Sequence, residues 1–183
     1  MKTIRILLLS ALAVAGAGVA HAFDPVKGLP KTEVVFFERQ NFTDARDSYM
    51  GSDSGRDGNL DMIKEYLVKR ATRYLAPGQK LTITITNVDL AGEFEPWRGP
   101  QFDDVRIVKD IYPPRIDLTF KVTDAEGKVL AEGKRVLRDP TFMMRLTMAF
   151  QDDPLRHEKA MLDDWMSEDL HGLKKTVASA ATH

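Results

Sequence analysis

Cysteine is absent from all 183 residues. That absence closes several routes together: disulfide staples, a thiolate nucleophile, a cysteine-based zinc site and a lipid-carrying N-terminal cysteine. Histidine is scarce, at four residues. His21 lies in a segment expected to be removed, and His183 is terminal. His157 and His171 stand too far apart to ligate a metal from one helix face, and read as solvated helix residues. The chain also lacks a Gly-x-Ser-x-Gly elbow, and no glycine-rich phosphate loop follows a strand. An excess of one charge is missing too. The 26 basic and 27 acidic residues are mixed along the chain, which leaves no basic stripe for nucleic acid. No cofactor and no metal are expected.

Long apolar runs are lacking, with one exception. Lys2 and Arg5 precede an apolar stretch over residues 6–20, and Ala20 and Ala22 follow at signal-peptidase spacing. Crossing a bilayer takes roughly 20 apolar residues, and this run is shorter and interrupted by Gly16 and Gly18. The pattern predicts a cleavable signal peptide over residues 1–22, no membrane anchor and a periplasmic location. Residues 23–175 then form a single domain, and residues 176–183 a frayed tail.

What is present reads as mixed secondary structure. Residues 32–38 are β-branched and aromatic, a buried strand. Leu60, Ile63, Leu67, Ala71 and Tyr74 recur at helical spacing, and Pro77-Gly78 ends that helix. Leu81, Ile83 and Ile85 alternate with threonines, as do Ile116, Leu118, Phe120 and Val122 with polar residues, giving two half-buried strands. Gly127 closes a hairpin turn into a partner strand over 129–138. Residues 142–150 read as a short helical or irregular piece packed on the core. Asp153-Pro154 reads as an N-cap and first helical position, followed by an apolar face of Leu155, Leu162, Trp165, Met166, Leu170 and Leu173. The expected fold class is α+β: a two-layer sandwich in which two helices cover one face of a mainly antiparallel sheet of about four strands, in the order β-α-β-β-β-α.

Several stretches carry a resemblance. They are Asn41-Phe42-Thr43-Asp44 with Arg46-Asp47-Ser48-Tyr49, and Gly55-Arg56-Asp57. With them go the run around Trp97 from Asp89 to Pro100, Asp103-Asp104-Val105-Arg106, and Ile111-Tyr112-Pro113-Pro114-Arg115. The chain resembles, over most of residues 33–166, an uncharacterised family of exported bacterial proteins, the domain of unknown function numbered 3016. The resemblance implies an exported protein and supplies no activity.

Two patterns compete for chemistry. Asp53, Asp57 and Gly58 fall at first, fifth and sixth places of a calcium loop, but Gly55 and Lys64 stand where ligands are required. The polar stretch from Arg39 to about Asn59, ending in a turn that feeds a helix N-terminus, explains the same acids. The stronger candidate is the irregular segment 89–115, punctuated by Pro96, Gly99, Pro100, Pro113 and Pro114. Connections beyond about 12–15 residues are uncommon unless functional or disordered. It holds Glu93, Glu95, Trp97, Arg98, Asp103, Asp104, Arg106, Tyr112 and Arg115, the candidate binding residues. Aromatics interleaved with arginine anchor partners, or else tuck under the loop as a satellite core. The expectation is a non-enzymatic binding or assembly-assisting protein whose partner is a protein or cell-envelope component. The alternative is a hydrolase using the loop carboxylates on a glycan or peptide, with Trp97 stacking on a sugar.

Overall fold

The computed structural model describes residues 28–145 and 152–174. The expected signal peptide and frayed tail lie outside them, as does the stretch 146–151. Strand β1 (Lys31–Phe36) leads through helix α1 (Asp53–Ala71) to β2 (Lys80–Asp89). The short strands β3 (Glu93–Phe94) and β4 (Arg106–Ile107) follow. Then come β5 (Arg115–Thr123), β6 (Val129–Arg138) and helix α2 (Arg156–Asp169).

The main sheet has the order β1-β2-β5-β6, and β3 pairs with β4 in a small sheet of its own. β2, β5 and β6 are antiparallel, while β1 runs parallel to β2. The parallel pair follows from the connection, since a helix between two strands returns the chain in the original direction. Alternation decides which face is covered. Leu81, Ile83, Ile85 and Val88 on β2 and Ile116, Leu118, Phe120 and Val122 on β5 are buried. They share one core with Leu60, Ile63, Leu67 and Ala71 of α1 and Leu162, Trp165 and Met166 of α2. Both helices therefore lie on one face, and the mixed α+β architecture is the expected one. Among the described residues no element covers the opposite face, where Thr82, Thr84, Thr119, Lys121 and Glu132 stand.

Three local readings change. α1 begins at Asp53, well before its first apolar residue, because Ser52 caps it by accepting from the Gly55 amide at 2.9 Å. The calcium-like run is thus helix, with no loop to wrap an ion. Asp153-Pro154 makes a turn rather than a cap: the Asp153 carboxylate accepts from the Leu155 amide, and α2 starts at Arg156. His157 is buried, its ring edge-on to Phe142 at 4.7 Å, rather than solvated. Phe142 itself is fully buried in a 3-10 turn over Phe142–Met144, in keeping with a piece packed on the core.

The helices are clamped to one another. Asp163 of α2 accepts two hydrogen bonds from Arg70 of α1, both at 2.7 Å, and a third from the Tyr66 hydroxyl at 2.5 Å. A bidentate arginine fixes geometry as well as charge.

Candidate functional site

The end of β2 is where the chain gathers its polar groups. The segment after β1 docks there through backbone bonds: the Asp44 amide donates to the Val88 carbonyl at 3.0 Å, and the Leu90 amide to the Asp44 carbonyl at 2.9 Å. That docking carries the Asp44 carboxylate inside, 3% exposed. A buried carboxylate requires partners, and two arginines supply them. Arg106 Nη1 donates to one oxygen at 2.9 Å and Arg46 Nε to the other at 3.1 Å. Burial alone pushes the Asp44 carboxyl up, but the hydrogen bonds and charge of Arg106 and Arg46 outweigh it and hold the group below the ordinary aspartate range.

Arg106 joins more than that pair. Its guanidinium also donates to the carbonyls of Gly92 and Arg46, and it lies 4.5 Å above the buried Phe94 ring. Gly92 is required at this point: its φ is +86°, and a Cβ would sit 2.9 Å from the Ile107 carbonyl oxygen. Glu95 is the second fixed point. It is 1% exposed and accepts from Lys109 Nζ at 2.5 Å, Arg98 Nε at 2.5 Å and the Tyr112 hydroxyl at 3.0 Å. The bond from Lys109 is the main cause of its carboxyl lying below the usual glutamate range, with Tyr112 and Arg98 adding to it.

The candidate residues therefore divide. Glu95, Arg106 and Tyr112 form the frame of the segment, with Phe94 as its satellite core. Glu93 sits at the frame's margin, 3.4 Å from Arg46. Arg115 is exposed and pairs with Asp117 through two bonds of 2.8 Å. Asp103 offers its backbone carbonyl to the Tyr49 amide, and Asp104 is exposed. Trp97 is 72% exposed, on a 3-10 turn over Pro96–Arg98. Ile111, 67% exposed, stands at the other end of the same excursion. The acids do not converge as a group. Asp89 and Glu93 alone among them share a recess, about 230 Å³ in volume, with Tyr112, Arg115 and Arg138. Burial, and then the charges of Asp44 and Glu93, push the Asp89 carboxyl up.

A second cavity, about 340 Å³, opens between Arg106 and the first turn of α2, where Arg156, His157 and Glu158 stand. Sequence reasoning missed it. Glu158 is buried, and its Oε1 accepts from the Ala91 amide at 2.6 Å. The available signal was its spacing: it falls one helical turn before Leu162, on the apolar stripe of α2, where an acid is out of place.

Burial pushes the Glu158 carboxyl well up, against the pull of the Ala91 amide and of Arg106; Asp153 adds to the rise. Arg46, Asp47, Arg156 and His157 are the other titratable groups on that wall. Burial, and then the charge of Arg156, also keep His157 neutral-leaning by lowering its pKa. A raised carboxyl contributes stability that is complete below its unfolded value near 4.5 and is lost as pH rises through the folded value. Glu158→Gln should therefore gain stability over wild type at pH 8 and lose that advantage at pH 4. Urea unfolding at both pH values measures the difference, and an equal effect at each would contradict a raised Glu158 carboxyl.

Fold and site together define a small α+β sandwich with an arginine-clamped excursion at one end of its sheet. Residues 30–168 match the model of a family described as a protein of unknown function (DUF3016). The chain belongs to that family. No curated protein and no solved structure matches it.

Proposed function

We propose that this chain is an exported, non-enzymatic binding module that works in the periplasm and engages a protein or other envelope component through the crest of its long excursion. The observation that carries the reading is Trp97. This large ring is held 72% exposed on a turn anchored by Glu95 and its three donors. An aromatic anchor fixed before binding loses little entropy on contact. The signal-like N-terminus supports export, and among the described residues no helix is long and apolar enough to cross a membrane.

The hydrolase alternative keeps one specific support, the raised Asp89 beside Glu93. Its recess, about 230 Å³, falls under the roughly 300–1,000 Å³ of ordinary ligand pockets. Glu95 is held in the wrong direction for a general acid.

A photo-crosslinking residue placed at the exposed Gln101 should trap a partner of discrete mass in the periplasmic fraction of cells expressing the chain. The same residue at Glu126, in the distant hairpin turn, should trap none. Trp97→Ala should abolish the Gln101 adduct while leaving urea stability within about 0.5 kcal/mol of wild type. An adduct that survives Trp97→Ala, or a destabilisation of several kcal/mol, would defeat the reading.

A further inference from the structure

The cavity beside Glu158 lies apart from the Trp97 crest and has the features of a small-molecule site. Its volume, about 340 Å³, is within the range of ligand pockets. Glu158 forms part of its wall, 1% exposed, and among the described residues Oε2 of that carboxyl has no hydrogen-bond partner while Oε1 takes the Ala91 amide. A buried polar atom without a partner needs an explanation, and a ligand supplies one. The first turn of α2 faces the same space. Leu155 stands at its N-cap and no side chain caps the helix; the Arg156 amide donates to the Asp153 carbonyl at 3.1 Å, which leaves the His157 amide as the open first-turn donor among the described residues. Arg156, in that turn, donates through Nε to His157 at 3.2 Å, and among the described residues its remaining guanidinium donors have no partner and can take an anion.

The charge count selects the class of anion. Arg46 and Arg106 also reach the cavity, but Arg106 is paired with Asp44 and Arg46 is shared between Asp44 and Glu93, two cations against two anions. Arg156 is then the cation in surplus, and Asp47 on the same wall opposes any second negative charge. Leu90, Val108 and Leu155 make much of the remaining lining apolar. One charge and a carbon body suit that balance better than a dianion does. We propose that this cavity binds a small aliphatic monocarboxylate: its carboxylate pairs with Arg156 and the His157 amide and accepts a hydrogen bond from the Glu158 carboxyl, while its chain lies against Leu90, Val108 and Leu155. The shift of Glu158 towards its neutral form makes it the donor this arrangement needs.

Isothermal titration calorimetry on the purified protein with hexanoate, hexanol and inorganic phosphate tests the assignment. Hexanoate should bind, and hexanol, which has the same chain without the charge, should not. Arg156→Gln, at a half-buried position that the core does not need, should weaken hexanoate at least about tenfold, as the loss of a charge-assisted bond does. Glu158→Gln keeps an acceptor for the Ala91 amide and a donor for the ligand, so its affinity should stay within about threefold of wild type. Glu158→Leu keeps neither and should bind no hexanoate. Absence of hexanoate binding up to about 10 mM would overturn the proposal. So would equal binding by hexanol, tighter binding of phosphate, or an Arg156→Gln protein with wild-type affinity.

Discussion

Trp165→Ala should lower the unfolding free energy by about 3–5 kcal/mol, the range for removing a large ring from a packed core. Trp165 sits on α2 where the helix crosses the sheet, 2% exposed. Its ring meets Phe120 of β5 edge-on, with centroids 5.6 Å apart. Arg135 of β6 covers Phe120 from the strand side at 5.5 Å, and its guanidinium is held by Asp169 near the end of the same helix. Gly133, directly across from Phe120 in the β5–β6 register, has no side chain to fill a void. A cavity at Trp165 therefore cannot collapse easily, which places the cost toward the upper end. Among the described residues the indole Nε1 has no hydrogen-bond partner, so Trp165→Phe, which keeps a ring and drops an unsatisfied donor, should cost clearly less. Urea unfolding of the two variants measures both numbers. A Trp165→Ala protein within 1 kcal/mol of wild type, a cost no packed core ring shows, would mean that α2 is not packed as described.

The same contact shows what was legible in the sequence. Phe120 and Trp165 announce themselves because alternation on a strand and three- to four-residue spacing on a helix are local signals. The β5–β6 hairpin is local too, closed by Gly127 at φ +85° with the Asp124 carboxylate accepting from the Glu126 and Lys128 amides. The first turns of α1 were hidden because Gly55 and Gly58 are poor helix formers. Gly55 is there for another reason: a Cβ would fall 1.9 Å from the Asp47 carboxyl carbon. The two-residue strands β3 and β4 are too short to have a period. Strand direction is not encoded locally either, so the parallel pairing of β1 had no sequence signature beyond the helix that follows it.

The site was legible by region and not by role. Glu93 and Glu95 look alike in the sequence, two residues apart, yet one sits at an open recess and the other is enclosed by three donors. What separates them is contact with Lys109 and Tyr112, which only the fold brings near. Asp44 and Arg106 are a sharper case. Each appears as an ordinary surface charge, and their pairing spans 62 residues.

That pairing sets the second large effect. Arg106→Ala should destabilise by about 3–5 kcal/mol, as removing one partner of a buried ion pair does, because the charge left behind has nothing to offset it. The condition for that range is met: the Asp44 side chain is 3% exposed and that of Arg106 19%. Arg46 remains beside Asp44 but is itself shared with Glu93 and half open to solvent, so it compensates only in part. Arg106 also fixes the Gly92 and Arg46 carbonyls and lies on Phe94, and its loss frees the end of β2 from the excursion. Acid should shrink the difference. The Asp44 carboxyl lies below its ordinary value when folded, so its contribution is present above the unfolded value of 3.8 and is lost as pH falls through the folded one. Without Arg106 the larger remaining influence on Asp44 is burial, which moves the carboxyl up and lets it protonate earlier. The gap between wild type and Arg106→Ala should therefore be full at pH 7 and narrow steadily below pH 4. Adding Asp44→Asn to Arg106→Ala should restore part of the loss, since a neutral amide leaves no stranded charge. Urea unfolding of the four proteins in that cycle at pH 7 gives the coupling. Simple additivity, or an Arg106→Ala cost within about 0.5 kcal/mol of wild type, would show that the pair does not hold the excursion in place.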